Sequence, residues 1–595
     1  MLSIKPTLII DFISIFWLLV IVSTLFMWLP IKSATANKQS IDKIQILGLW
    51  LRTMSFLLLG TLVLSYTQLL NWLTMALLYV GCLVLNYLKS YQWQIKYCRE
   101  IIQHKLINLV DFLDHGLSLS DVWQDIRASW HKNLQKIATY LTNFIDNQGI
   151  VFVFILSAIL IFTLWLRWEH PMSQLRFSNP DRYNTLLVTR QLLTRNYQDL
   201  DYFPTFSALA TTISLLGSIE PMQAIRFLSP ILGVVLVICV GFNLRIFTGN
   251  ANSALVGMLT LGGYLFTWQQ MVDPEPQWLN IIIRSLNDSL VRQWAGSELE
   301  LGTIFLLLGL AYSFGSSDRH KKTTTFRINL LCVIILVAIS APPLLIIAAI
   351  ACIGLIGDKQ LTLTAVVLTW ILLAVFAAIA QDRIVWMQSF LVTLPVALSL
   401  LSGLLFVFVS KILNKIFSSW AETFCLGLTI ALALNFWLPS SPKITYLEYD
   451  LAARKSLEIK RIFPAKTWTL VAPVEQLAQI YGSGWYEDLA AFVEQYGTKA
   501  KNPQFNFATT EQDLFIMVEK VPFVTFPNEP NILPNEILGD RTYRYYRSSA
   551  GRASLEYSAL QMCEAYRTHH PNSSDIYYED RELRIYHFSS FDSKA

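Results

Sequence analysis

The chain of 595 residues is 54% hydrophobic and only 15% charged, with a mean hydropathy of +0.44, and its apolar residues fall in runs of about 20, the length that crosses a bilayer as a helix. A formal net charge of +4 with no basic stripe interleaved with aromatics excludes nucleic acid as a partner. No Gly-rich phosphate loop with lysine, no Ser nucleophile elbow and no His-Glu-x-x-His occurs, which leaves the soluble NTPase, hydrolase and zinc-protease classes without residue support.

The first apolar run, Thr7 to Leu29, is too long for a signal-peptide core and lacks a small-residue cleavage site, so it reads as a retained transmembrane helix. Further spans are expected near 44 to 66, 69 to 88, 150 to 168, 226 to 247, 252 to 272, 301 to 317, 361 to 380, 387 to 410 and 419 to 438. A shorter pair, 328 to 341 and 344 to 357, hinges at Pro342-Pro343. Each member offers roughly 21 Å of helix against about 30 Å of hydrocarbon, which predicts a shallow hairpin. With that pair the count is about twelve membrane helices.

Residues 90 to 149 are polar, with Trp93, Trp123, Trp130 and leucines at helical spacing, and predict amphipathic helices lying on the membrane surface. From 440 to 595 the composition becomes that of a soluble α/β domain. Strand-like runs Ile444 to Tyr449, Trp468 to Val471 and Leu514 to Glu519 alternate there with helical patterns over Val474 to Tyr496 and Ala553 to His569, and a hairpin turns at Asp580-Arg581. The expected division is therefore 1–89 (three membrane helices), 90–149 (cytoplasmic amphipathic segment), 150–438 (membrane core) and 440–595 (external domain). No repeat or low-complexity tract is present. Of the seven cysteines, six lie in or beside apolar runs and none has zinc or C-x-x-C spacing, which indicates neither disulfides nor a thiolate metal site.

Lysine and arginine near helix ends set the orientation. Lys32, Lys38 and Lys43, then Lys89, Lys96, Arg99 and Lys105, then Arg319, Lys321, Lys322 and Arg327, and finally Lys411 and Lys415 all fall on one side under this count. That side is expected to be cytoplasmic in an inner or plasma membrane, which puts the C-terminal domain outside. A single kinked span over 328 to 357 would swap the later sides.

On the external side the link from Arg167 to Phe203 carries Arg167, Arg176, Arg182, Arg190 and Arg195, a cluster that runs against the positive-inside tendency. Planar guanidinium forks suit phosphate oxygens, whether of a lipid carrier or of anionic headgroups. Asp181 follows Pro180 and opens a helical pattern, so it is either a chemical carboxylate or a helix cap. Asp201-Tyr202-Phe203-Pro204 then heads Thr205 to Leu216, an apolar stretch too short to span, and Arg226 with Pro230 opens the next helix. The following external link begins Asp273-Pro274-Glu275-Pro276, a second acidic pair or a helix-ending turn. Beyond it Trp278 to Trp294 is amphipathic and carries Arg284 and Arg292.

The order of these features over Arg167 to Gly263 resembles the first external loop of GT-C glycosyltransferases, the polytopic enzymes that take sugars from polyprenyl-phosphate carriers, such as oligosaccharyltransferases, O-mannosyltransferases and aminoarabinose transferases. The resemblance implies an inverting enzyme in which Asp181 is general base or divalent-metal ligand, with Asp273 as a further ligand and Glu275 and Asp201 assisting. It implies that Arg176, Arg182, Arg190 and Arg284 hold the donor phosphate, and that the partners are membrane lipid, the polyprenyl-phosphate donor and a lipid, glycan or protein acceptor. A non-catalytic membrane scaffold or lipid-binding protein of the same fold is the alternative, and a transporter ranks below both because the Pro342-Pro343 break is lined by apolar residues.

Overall fold

The computed structural model describes residues 6–24, 43–90, 149–178, 181–197, 203–267, 276–316, 323–354, 358–380, 385–417, 421–436, 446, 448–473, 475–507, 512–521 and 549–589. The expected amphipathic segment 90–149 lies almost wholly outside these residues.

The chain opens with three helices, α1 (Pro6–Ile21), α2 (Lys43–Tyr66) and α3 (Trp72–Ser90). After them come α4 (Ile150–Ser173), α5 (Asp181–Thr194), α6 (Thr205–Gly217), α7 (Pro221–Thr248) and α8 (Ala251–Gly262). Local chemistry sets several of these bounds. Pro221 takes the first turn of α7, and Gly249 ends it in the left-handed region at φ 69°. The Asn250 side chain then accepts from the backbone N–H groups of Asn252 and Ser253 and starts α8. The bundle continues with α9 (Gln277–Asn287), α10 (Ser289–Ala295), α11 (Glu298–Gly315), α12 (Thr324–Ser340), α13 (Leu345–Ile353), α14 (Lys359–Ala380), α15 (Gln388–Phe417) and α16 (Ala421–Phe436).

Six of the described helices are long and apolar enough to cross a membrane: Ile46–Tyr66, Ile150–Ser173, Pro221–Thr248, Glu298–Gly315, Lys359–Ala380 and Gln388–Lys415. The expected twelve are not confirmed among the described residues. The span predicted near 252 to 272 is a helix of 12 residues, and those at both chain-terminal ends of the bundle are also short among the described residues.

The pair around Pro342-Pro343 is unequal, with 17 residues in α12 and nine in α13, or about 25 Å and 14 Å of helix. Between them Pro342–Leu344 makes a single 3-10 turn. Ala341 packs against Gly302 at the head of α11, while Asn329 and Phe326 lie against Tyr312 near its tail. So α12 runs the length of α11, and α13 turns back beside both.

The apolar stretch too short to span forms the short helix α6, which need not lie at the membrane surface. It is almost completely buried, packed by α1, α2, α3, α5 and α7. Trp17 Nε1 donates to the carbonyl of Gly217 at 2.9 Å, and the hydroxyls of Thr61 and Thr212 meet at 2.9 Å. The first three helices thus form the outer wall of the loop helix.

The C-terminal unit contains α17 (Asp450–Ile462), β1 (Trp468–Ala472), α18 (Glu475–Ile480), β2 (Trp485–Asp488), α19 (Leu489–Tyr496), β3 (Asp513–Glu519), α20 (Ser549–His569), β4 (Ser574–Glu579) and β5 (Leu583–Ser589). Strand order is β2-β1-β3-β5-β4, with β1 parallel to β2 and β3, and β5 antiparallel to β3 and β4. Alternation along β3 sends Leu514, Ile516 and Val518 to the face covered by α19 and α20, and Phe515 and Met517 to the face that holds Ala452 and Ile459 of α17. The hairpin at Asp580 is as expected. The predicted helix over Val474 to Tyr496 is in fact α18, β2 and α19, and the described residues of 444–449 form no strand.

Candidate functional site

The loop that follows α4 is clamped between the bundle and the C-terminal unit. Asp450 accepts from the backbone N–H of Leu175 and, at 3.1 Å, from that of Arg176. The Arg176 guanidinium donates to the carbonyl of Glu448 at 2.7 Å and lies 3.5 Å over the Tyr446 ring. Tyr446 in turn stacks on His170, whose Nε2 shares a 3.1 Å hydrogen bond with its hydroxyl. Arg176 is therefore held by the C-terminal segment.

Helix α5 has one end at the surface and one side inside. Asp181 is exposed in its first turn, while the next residue, Arg182, is buried. Arg182 Nη1 donates to Thr185 Oγ1 at 3.1 Å, and its Nε finds no hydrogen-bond acceptor. At the far end of the same helix Arg190 pairs with Glu220, and Lys460 of α17 closes on that carboxylate at 2.8 Å. Burial lowers the Arg190 and Lys460 ammonium-type pKa values, Lys460 to about 8, with Glu220 opposing. Burial also works against the Glu220 carboxylate, but Arg190 and Lys460 together hold it below its usual range. Arg190 is thus paired within the bundle, and Glu220 joins it to Lys460 of the C-terminal unit.

Beneath the head of α5 lies a polar group that the sequence did not assemble. Arg167 of α4 is fully buried; its Nε donates to the Tyr264 hydroxyl at 3.0 Å and its Nη2 to Gln293 Oε1, which Tyr264 also reaches. Its Nη1 has no acceptor and lies where a Cβ on Gly233 would stand 2.3 Å away. Glu300, in the first turn of α11, is buried with Oε1 unpartnered, and interacts electrostatically with both Arg167 and Arg182. Arg226 lies close by, donating to the carbonyl of Pro171 at 2.6 Å. Two guanidinium groups with N–H groups lacking acceptors, facing one carboxyl, leave a buried excess of positive charge suited to an anion with several oxygens.

Of the other candidates, Arg284 is exposed on α9. Asp201, Asp273 and Glu275 lie outside the described residues. Among the described residues no three His, Cys, Asp or Glu side chains gather in a way that could hold a metal ion. Tyr264, Gln293 and Glu300 carry no local sequence motif. The only available signal was a glutamate at the head of an apolar span, where ionisable residues are rare.

No family model matches this chain, and no curated protein matches it. Among solved structures it is similar to the archaeal oligosaccharyltransferase AglB of Archaeoglobus fulgidus, determined with an inhibitory peptide and a dolichol-phosphate. That likeness has 12% identity and a TM-score of 0.26 over 73% of this chain, which spans 53% of the archaeal protein's length. A superposition this loose assigns no function.

Proposed function

We propose that the chain is a GT-C-like membrane glycosyltransferase that moves a sugar from a polyprenyl-phosphate donor to an acceptor at the bundle end that carries α5. The supporting observation is the incompletely paired group of Arg167, Arg182 and Glu300 directly under the helix that Asp181 opens. Adjacent residues of one chain keep their Cα atoms about 3.8 Å apart, so Asp181 stands at the rim of the pocket into which Arg182 is buried.

In this reading the Asp181 carboxylate takes the proton from an acceptor hydroxyl as its oxygen bonds to the anomeric carbon. The bond from that carbon to the phosphate oxygen breaks, with inversion, and the electron pair leaves on the phosphate. Arg182 and Arg167 neutralise the charge that develops there. One carboxylate among the described residues does not make a divalent-ion site, so no step is assigned to a metal. Asp201, Asp273 and Glu275 remain proposed as assisting acids, and Arg284 as an outer phosphate contact.

A second reading, a scaffold without catalysis, is favoured by one specific observation: Arg176 donates to the Glu448 carbonyl of the C-terminal unit and Arg190 pairs with Glu220 at the head of α7, so both have protein partners. Asp181→Asn separates the two. It keeps volume and capping ability but removes the charge, so sugar transfer should drop by a factor on the order of 100 or more while donor-lipid binding persists. Near-normal transfer by the folded variant removes Asp181 from the mechanism.

A further inference from the structure

We infer that Glu448 is a positioning residue, a carboxyl of the C-terminal unit that fixes α5 in place and with it Asp181 and Arg182 at the head of that helix. The inference rests on the glycosyltransferase reading only for its consequence at Asp181; the mechanical coupling stands apart from it.

Glu448 is 1% exposed and joins parts of the chain 265 residues apart. Tyr183 of α5 donates its hydroxyl to Oε1, and Gln479 of α18 donates to the same oxygen at 2.7 Å. Gln476 donates to Oε2 and is itself anchored by Ser456 of α17 at 2.6 Å. Through its backbone carbonyl the same residue holds Arg176. One residue therefore links α17 and α18 to both the loop and the helix of the candidate site. Tyr183 is buried edge-on against Phe177 at 5.3 Å, so a displacement at Glu448 is passed on to α5.

The charged and titratable groups around the carboxyl are Tyr183 from α5, Arg176 from the loop, Asp450 from α17 and Glu475 from α18. Arg176 is spent on the carbonyl. With only neutral donors on its oxygens, burial pushes Glu448 up from 4.5 to about 8, against the Tyr183 bond and helped by Glu475. The docked state then keeps a proton that the open state releases, so docking is strongest below the free value and weakens as pH rises toward 8. Glu475, pushed by burial to about 7, acts in the same direction. Lys460 acts in the opposite one, and its contribution is recovered only above about 8.

The test is amide hydrogen exchange of the full-length protein in lipid nanodiscs, with protection of residues 183–194 corrected for intrinsic rates. Between pH 7 and 8, where Glu448 and the upper half of the Glu475 titration act together, wild-type protection should fall by up to about tenfold. Glu448→Gln should flatten that dependence, and Glu448→Ala should lower α5 protection about tenfold or more at pH 7 while slowing turnover. A flat wild-type profile, or the same slope in Glu448→Gln, overturns the inference. If Glu448→Ala does not fold, the slope of Glu448→Gln decides alone. If α5 responds as expected but no donor is turned over by the wild type, the glycosyltransferase reading falls and the coupling stands.

Discussion

Gly233 is where a single methyl group would reach the buried pocket. The Arg167 side chain crosses the backbone of α7 there, so a Cβ would stand 2.3 Å from Nη1 and 2.9 Å from Cδ and Cζ. The guanidinium cannot retreat without leaving Tyr264 and Gln293. Gly233→Ala should therefore cost about 1–3 kcal/mol by overpacking, read as a lower melting temperature in detergent, and it should weaken polyprenyl-phosphate binding more than Asp181→Asn does. Arg167 was legible as one of a cluster of basic residues, but its partners were not. Tyr264 and Gln293 lie 97 and 126 residues away in the chain, and only closure of the bundle joins them. The arginines also show that charge pattern reveals a need for counter-charges without naming them: Arg190 found Glu220, where a lipid phosphate had been expected.

At the scale of elements, α6 shows what local signals can and cannot fix. Pro204 and Gly217 bracket it as the sequence suggested, yet the same apolar run would serve on a membrane surface or in a core. Its hydroxyls settle the matter by reaching neighbouring helices: Ser207 donates to the carbonyl of Thr185 at 3.3 Å, and the hydroxyl of Thr212 meets that of Thr61 at 2.9 Å. At the end of α6 a Cβ on Gly217 would meet Ile21 Cδ1 at 2.3 Å. Gly217→Leu should thus push α1 away and cost about 1–3 kcal/mol, measured by thermal melting, whereas the same change at the unobstructed Gly81 should stay within about 0.5 kcal/mol. In the C-terminal unit the missed strand β2 has a plain cause. Gly482 at φ 78° and Gly484 interrupt a stretch whose apolar spacing otherwise reads as one helix.

For the whole molecule, the contacts sort helix ends into two sets. Gly315 lies against Ile44, and Glu422 accepts from Asn250 at 3.2 Å and Asn252 at 3.3 Å, so the tails of α7 and α11 share an end with the heads of α2 and α16. Lys415, in the last turn of α15, belongs to that set. At the opposite end Tyr446 and Glu448 of the C-terminal unit touch His170 and Tyr183. Because α12 runs back along α11 and α13 returns, the turn at Pro342-Pro343 leaves α14 to start from the lysine-bearing end. If the basic ends follow the positive-inside tendency, the C-terminal unit and α5 are predicted on the external face. Single cysteines at the exposed positions Lys499 and Lys415, in a background with the native cysteines replaced, put this to measurement. An impermeant maleimide should label the Lys499→Cys protein in intact cells and the Lys415→Cys protein only after permeabilisation. The reverse pattern would invert the bundle, and labelling of both from one side would mean that α16 does not carry the chain across.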